Sequence, residues 1–234
     1  MLIQHLHLST RNLPKQRYFY TQTLGLALLD ASQTSFTFQA GASRITFEQA
    51  GKIENPHYHF AFNIPENQLT EAKAWLQSRT SLLAKDGADD FLFAPAWNAE
   101  GIYFQDPDGN VLEFICRHNL ATATAAPFGV ESIICVSEVG LVAPEVAPVV
   151  GLLAQTAGLE VWQEAGPNFK ALGTETGLFI LVKEGRSWFP TQLPARASNL
   201  QVIFRHRSRN FLLKGTEGTV QIKELIQEKK EILA

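Results

Sequence analysis

Cysteine is scarce in this chain, with two in 234 residues. Cys116 and Cys135 each sit in an apolar run that reads as a strand, where a thiol acts as a small hydrophobe. A disulfide framework is therefore excluded; a single Cys116–Cys135 bridge stays open, and a reducing cytoplasm is the simpler setting. Long apolar runs are missing as well. Without about 18 uninterrupted apolar residues, no bilayer-spanning helix is expected. An excess of positive charge is also absent: 20 Lys and Arg stand against 23 Asp and Glu, for a formal net charge of −3. No basic stripe suited to phosphate backbones or anionic lipid results, so nucleic acid and membrane partners are not expected. The opening MLIQHLHLSTR has no charged segment ahead of an apolar run, and it is not expected to act as a signal peptide.

What is present is the composition of a globular protein, 45% apolar and 18% charged, and a repeated order of elements. Leu2 to Thr10 alternates apolar and polar residues as a strand does. Asn12 then suits a helix N-cap, Pro14 a first turn, and Gly25 the close of a helix running through Arg17 to Thr23. Leu26 to Asp30, Ser35 to Gln39 and Arg44 to Gln49 follow as strands. The order returns with a strand at His57 to Ile64 and a helix at Glu66 to Arg79. Strands at Phe91 to Phe93, Gly101 to Gln105 and Val111 to Arg117 complete it, the last two joined by the turn Asp106-Pro107-Asp108-Gly109-Asn110. A third copy opens near Val130 to Val136. Thr23-Leu24-Gly25-Leu26 recurs as Thr156-Ala157-Gly158-Leu159, 133 positions later (156 minus 23), and Phe36 is answered by Phe169. The expected architecture is α+β, with βαβββ modules forming curved, mostly antiparallel sheets and helices outside. Residues 1–118 are expected to form a metal-binding domain of two modules and 119–128 a linker. Residues 129–234 would be a degenerate second domain with one module, a shortened fourth and a charged tail from Gln221 to Ala234.

The chemistry concentrates in the first half. His5/His7 and His57/His59 are His-x-His pairs in strands that open modules, so each pair presents both imidazoles to one face. Leu6, Leu8, Phe60, Phe62 and Ile64 take the opposite, helix-facing side. Leu112 and Phe114 do the same on the closing strand, which turns Glu113 inward. A carboxylate there needs a cation or a donor. Two imidazoles and a carboxylate make a donor set suited to iron(II), manganese(II), zinc or nickel with coordination positions left open.

These residues, with their neighbours, carry a resemblance. His5-Leu6-His7-Leu8 with Asn12-Leu13, Phe19-Tyr20 leading to Leu24-Gly25-Leu26, His59-Phe60-Ala61-Phe62, and Tyr103 to Asn110 running into Leu112-Glu113-Phe114 together resemble the vicinal oxygen chelate superfamily. That superfamily includes glyoxalase I, extradiol dioxygenases, fosfomycin-resistance thiol transferases and bleomycin-binding proteins. The resemblance covers residues 1 to 118 and implies metal ligands at His5, His59 and Glu113, the spacing to Asn12 choosing His5 over His7. Glyoxalase I adds a fourth ligand where this chain has Thr46, with Glu48 two residues on, so that reading is disfavoured. Tyr103 matches a tyrosine kept near substrate in the thiol transferases, while His57 and His7 are the candidates to move a proton. Ser9, Asn63, Trp97 and Asn98 are further candidates to line the cavity.

The second half offers no histidine in its expected opening strand and no second Asp-Pro-x-Gly turn, so a second metal site is not expected. It is expected to supply packing surface in place of a dimer partner, or a lid carrying Trp162 and Trp188. The functional expectation is a cytoplasmic, metal-dependent enzyme, monomeric or homodimeric, on a small substrate that chelates the ion through adjacent oxygens. Iron(II) ring-cleavage dioxygenation stands ahead of a lyase, isomerase or thiol transferase. A metal-free protein that sequesters a drug-like molecule is the alternative from another class.

Overall fold

A computed structural model of the chain describes residues 1–51, 55–93 and 95–226. The end of the charged tail, beyond Ile226, lies outside the described residues. The first module contains β1 (Leu2–Thr10), α1 (Leu13–Tyr18), β2 (Leu28–Ala31), β3 (Ser35–Ala40) and β4 (Ser43–Gln49). The second contains β5 (His59–Ile64), α2 (Leu69–Gln77), β6 (Leu82–Leu83), β7 (Phe91–Phe93), β8 (Ala99–Gln105) and β9 (Val111–Arg117). The third contains β10 (Cys135–Ala143), α3 (Val146–Ala157), β11 (Val161–Glu164), β12 (Phe169–Thr174) and β13 (Gly177–Lys183). A fourth, without a helix, is the meander β14 (Leu200–His206), β15 (Arg209–Thr216) and β16 (Thr219–Glu224). The expected α+β class and its mostly antiparallel sheets are what the structure has. No helix of the described residues is long and apolar enough to cross a membrane.

Local chemistry explains most element ends. The Asn12 side chain accepts from the Lys15 N–H at 3.2 Å, and Pro14 sits in the first turn, so the helix begins at Leu13, with Asn12 as the expected N-cap. From Phe19 to Thr23 the helix widens into a π turn, in which the Leu24 N–H donates to the Phe19 carbonyl. Tyr20 lies in that turn, wholly buried, and its hydroxyl donates to Asp106 at 2.8 Å. Asp106 also accepts from the backbone N–H groups of Asp108 and Asn110, which holds the turn between β8 and β9.

The assignment of sheets differs from the expected division into halves. One sheet runs β16-β15-β14-β1-β4-β3-β2 and the other β11-β12-β13-β10-β5-β9-β8-β6, with β7 also on β8. Module one therefore pairs with module four through β1 and β14, and module two with module three through β5 and β10. Each sheet needs strands from both halves, so residues 1–118 do not close a cup alone. The third copy also starts later than expected: Val130–Ser132 is a short 3-10 turn, and the strand begins at Cys135.

One continuous core joins the sheets and helices, from Tyr20, Phe36, Phe38 and Phe47 to Phe60, Phe62, Phe114 and Leu153. The sheets touch where the turn between β3 and β4 meets the lead into β10, the Ala42 N–H donating to the Ile134 carbonyl at 2.8 Å. Gly41 there has φ +56°, and a Cβ on it would lie 2.0 Å from the Ile134 carbonyl oxygen. Gly41→Ala is therefore expected to cost at least about 2 kcal/mol, from the left-handed conformation and the forced backbone shift together. Urea denaturation would show it as a lower midpoint at unchanged slope.

Candidate metal centre

Three strands bring one histidine and two glutamates together. On β5, His59, Ala61 and Asn63 share the face opposite Phe60 and Phe62. Ala61 is paired on one side with Glu113 of β9 and on the other with Glu138 of β10. The two carboxylates thus flank a methyl group, with His59 two residues away on the same face. Glu138 reaches this place through a one-residue irregularity in β10 between Val136 and Glu138. An extra residue of this kind re-aims the side chains that follow it.

His59 Nε2 lies 3.9 Å from Glu113 Oε2 and 3.8 Å from Glu138 Oε2, and all three residues are buried. One donor atom from each lies within 4.8 Å of the others, as a shared metal ion requires. His59 Nδ1 is 3.0 Å from the Val111 carbonyl oxygen, which can only accept. Nδ1 therefore carries a proton, and Nε2 is the atom turned toward the carboxylates, the atom by which a neutral imidazole would ligate a metal ion. Glu138 Oε1 accepts from Arg117 Nη2, and Arg117 Nε donates to Asn63 Oδ1 at 3.2 Å.

The two carboxylates titrate in opposite directions. Burial, and then the charge of Glu138, push the Glu113 carboxyl well above its ordinary value despite the Tyr103 hydroxyl. Glu138 is buried too, yet His59 and Arg117 together hold it below its ordinary value. Glu113 Oε1 is buried and has no hydrogen-bond partner. Gly101 leaves it room, since a Cβ there would come within 2.6 Å of that oxygen. An orphaned carboxylate oxygen, an imidazole lone pair and a second carboxylate in one buried group fit a divalent cation.

A cavity of about 560 Å³ opens above this group. Its wall is aromatic, with Phe91, Phe93, Trp97, Tyr103, Trp188 and Phe189 among the lining residues. The His59 ring lies 5.0 Å from that of Trp188 and 6.3 Å from that of Tyr103. Trp162, at the edge of the same wall, meets Trp97 edge-on at 4.8 Å.

Of the residues singled out in the sequence, His59, Glu113 and Tyr103 meet here, and His5, His7 and His57 do not. His5 lies on β1 in the other sheet, where its Nε2 is 2.8 Å from Thr46 Oγ1 and its ring 3.8 Å from that of His7. The expected triad of His5, His59 and Glu113 is therefore not assembled, because β1 joins β14 and β4 rather than β5. His7 lines a separate cavity of about 320 Å³ with Ser9, Glu48, Gln201 and Lys214. His57 precedes β5, its backbone N–H donating to Ser198 Oγ at 3.0 Å. Trp97 lines the larger cavity, Asn63 serves Arg117, and Asn98 bonds Asn119. Glu138 and Arg117 were missed. A signal for Glu138 was present, since it lies 133 positions after His5, the offset that relates the repeats.

Comparison with known proteins agrees with this architecture. Residues 2–114 match the model of the Glyoxalase/Bleomycin resistance protein/Dioxygenase superfamily. The match spans just under half of the chain, and over its whole length the chain has the fold of a glyoxalase and a candidate dioxygenase of known structure. A metallothiol transferase FosB from Staphylococcus haemolyticus is 28% identical over 116 residues, 47% of this chain and 80% of that protein. A candidate dioxygenase from Bacillus subtilis superposes over 96% of this chain and 84% of its own, with a TM-score of 0.59 at 17% identity. A mutant glyoxalase I from Zea mays does so over 95% and 92%, with a TM-score of 0.54 at 12% identity.

His5 yields a test of its own. Burial, then His7 and Arg44, lower its pKa from 6.5 to about 4. A depressed histidine favours the folded state while neutral, so its contribution is complete above about pH 6.5 and is lost as pH falls toward 4. The half-exposed ring discounts the effect to the order of 1 kcal/mol. Unfolding free energies at about pH 7.5 and about pH 4.5 should therefore differ less in His5→Gln than in the wild type by roughly that amount. Equal pH dependence in the two proteins would show that His5 does not titrate in this way.

Proposed function

We propose that His59, Glu113 and Glu138 hold one divalent metal ion in a metal-dependent enzyme whose substrate is a small apolar molecule offering adjacent oxygens. The observation that carries this reading is the convergence of three buried donor groups beneath an aromatic cavity. One imidazole and two carboxylates form a harder set than the two-histidine, one-carboxylate triad associated with iron oxygenases. Manganese(II), iron(II) and zinc all suit it, and lyase, isomerase or thiol-transfer chemistry fits better than ring cleavage. The FosB relative's name, metallothiol transferase, favours the same side.

When bound, such an ion stabilises negative charge growing on a substrate oxygen. The chain's own groups do the rest. Arg117 keeps Glu138 ionised and oriented, while the Val111 carbonyl fixes the His59 tautomer. Tyr103 carries a hydroxyl beside Glu113, so a proton can be held or passed there on the cavity side. Trp188 and Phe189 narrow the space in which water could compete.

The test is metal content of protein purified without chelator, followed by titration with manganese, iron and zinc. Replacing an outer hydrogen-bond partner of a ligand costs about 10- to 100-fold in metal affinity, so losing a ligand should cost at least about 100-fold. Glu138→Gln is expected to do so, and His5→Gln to leave affinity unchanged. The opposite pattern would return the site to β1, and failure of every ion to bind would leave the aromatic cavity as a metal-free ligand site.

A further inference from the structure

The segment between β13 and β14 is an arm that no strand of the repeat accounts for. It folds back on itself through hydrogen bonds from Ala195 N to the Arg186 carbonyl and from Trp188 N to the Leu193 carbonyl. It places Arg186, Trp188 and Phe189 in the wall of the cavity above His59.

The charges around this cavity are unevenly satisfied. Asp90 is paired with Lys73 at 2.6 Å, Glu164 with Lys170, and Glu138 with Arg117. Arg186 forms no ion pair among the described residues. It stacks at 4.8 Å over the Phe169 ring and makes one long contact, 3.4 Å, to the Ser187 carbonyl. Burial lowers its pKa, and no carboxylate offsets this. Close to it in sequence, the Trp188 indole N–H is buried without a hydrogen-bond partner, although the residue is only 3% exposed. A guanidinium presents a planar fork of donors that matches an oxyanion in two-point contact. A buried indole N–H likewise lacks only an acceptor.

The geometry points to a second recognition element in this site: Arg186, assisted by Trp188, binds an oxyanion group of the substrate, so the substrate class is an organic acid with an aromatic or similarly apolar body. The inference rests on the proposed role of the cavity as the substrate site, and it names the chemistry at the end formed by the arm. Phe91, Phe93 and Phe189 supply the apolar wall against which the body packs.

Calorimetric titration of chelator-treated protein with 2-naphthoate and its neutral isostere 2-naphthamide tests this without the metal. The wild type is expected to bind the acid at least about 10-fold more tightly, a typical value for one charge-assisted contact. Arg186→Gln should abolish that preference and Arg186→Lys keep part of it. Lys85→Gln should leave it intact, since Lys85 lies over Phe189 but does not line the cavity. Equal wild-type affinity for acid and amide overturns the proposal even if a variant fails to fold. So does a loss of preference in Lys85→Gln equal to that in Arg186→Gln, which would assign the effect to the general surface potential. Neither outcome bears on metal binding, which is read from metal content.

Discussion

The antiparallel pairing of β5 with β10 is the constraint on which the candidate centre depends. It sets Glu138 opposite Ala61, while parallel pairing with β9 sets Glu113 opposite the same residue from the other side. Two carboxylates brought together out of water would each cost several kcal/mol if left ionised and unpaired. Arg117, wholly buried and tied to Asn63, answers one of them. The other is left with an unpartnered oxygen. Residues that serve only packing seldom occur in this pattern, whereas a cation site produces it directly.

The two sheets carry corresponding strand arrangements with different side chains at the matching places. The irregularity that precedes Glu138 in β10 has a counterpart between Ile3 and His5 in β1. His5 lies opposite Ile203 as Glu138 lies opposite Ala61, which makes Gln201 the counterpart of His59. On the far side of β14 comes β15, where Leu212 pairs with Ile203 in the place that Glu113 holds beside Ala61. The first sheet therefore has a histidine pair but no counterpart of His59 or Glu113. His5 is satisfied locally: its Nε2 meets Thr46 Oγ1, and Thr46 meets Thr37 at 2.7 Å.

Alternation along strands was sufficient to read the modules, the helix-facing Phe60, Phe62 and Phe114, and the inward turn of His59 and Glu113. It could not reveal which strand lies beside which. Parity assigns a residue to a face within its own strand, and His5 has the right parity in the wrong sheet. Pairing between modules is a long-range property that the sequence carries only as the 133-residue offset. The start of β10 was harder still. Val130 to Val136 looks like a strand by its apolar content, but the buried run continues to Ala143, and its glutamate sits within residues that are otherwise mostly apolar. A strand covered on both sides loses the alternation that would have flagged Glu138.

The charge of the centre can be followed through both of its states. Without a cation, Glu138 and Arg117 neutralise each other and burial favours a proton on Glu113, so neither carboxylate is left as an unpaired buried charge. A divalent cation on the proposed ligands must displace that proton, because only the ionised carboxylate is a good ligand. The proton and the cation therefore compete for one oxygen pair. With a cation held there, the two carboxylates would cancel its two positive charges, and Arg117 would leave one over, buried beneath an aromatic wall. A bound molecule that presents an anionic oxygen removes this excess, whereas a neutral one leaves it. With the proposed ion in place, this charge arrangement would favour ligands that arrive as oxyanions, beginning with the placement of Arg117 on the same face of β9 as Glu113.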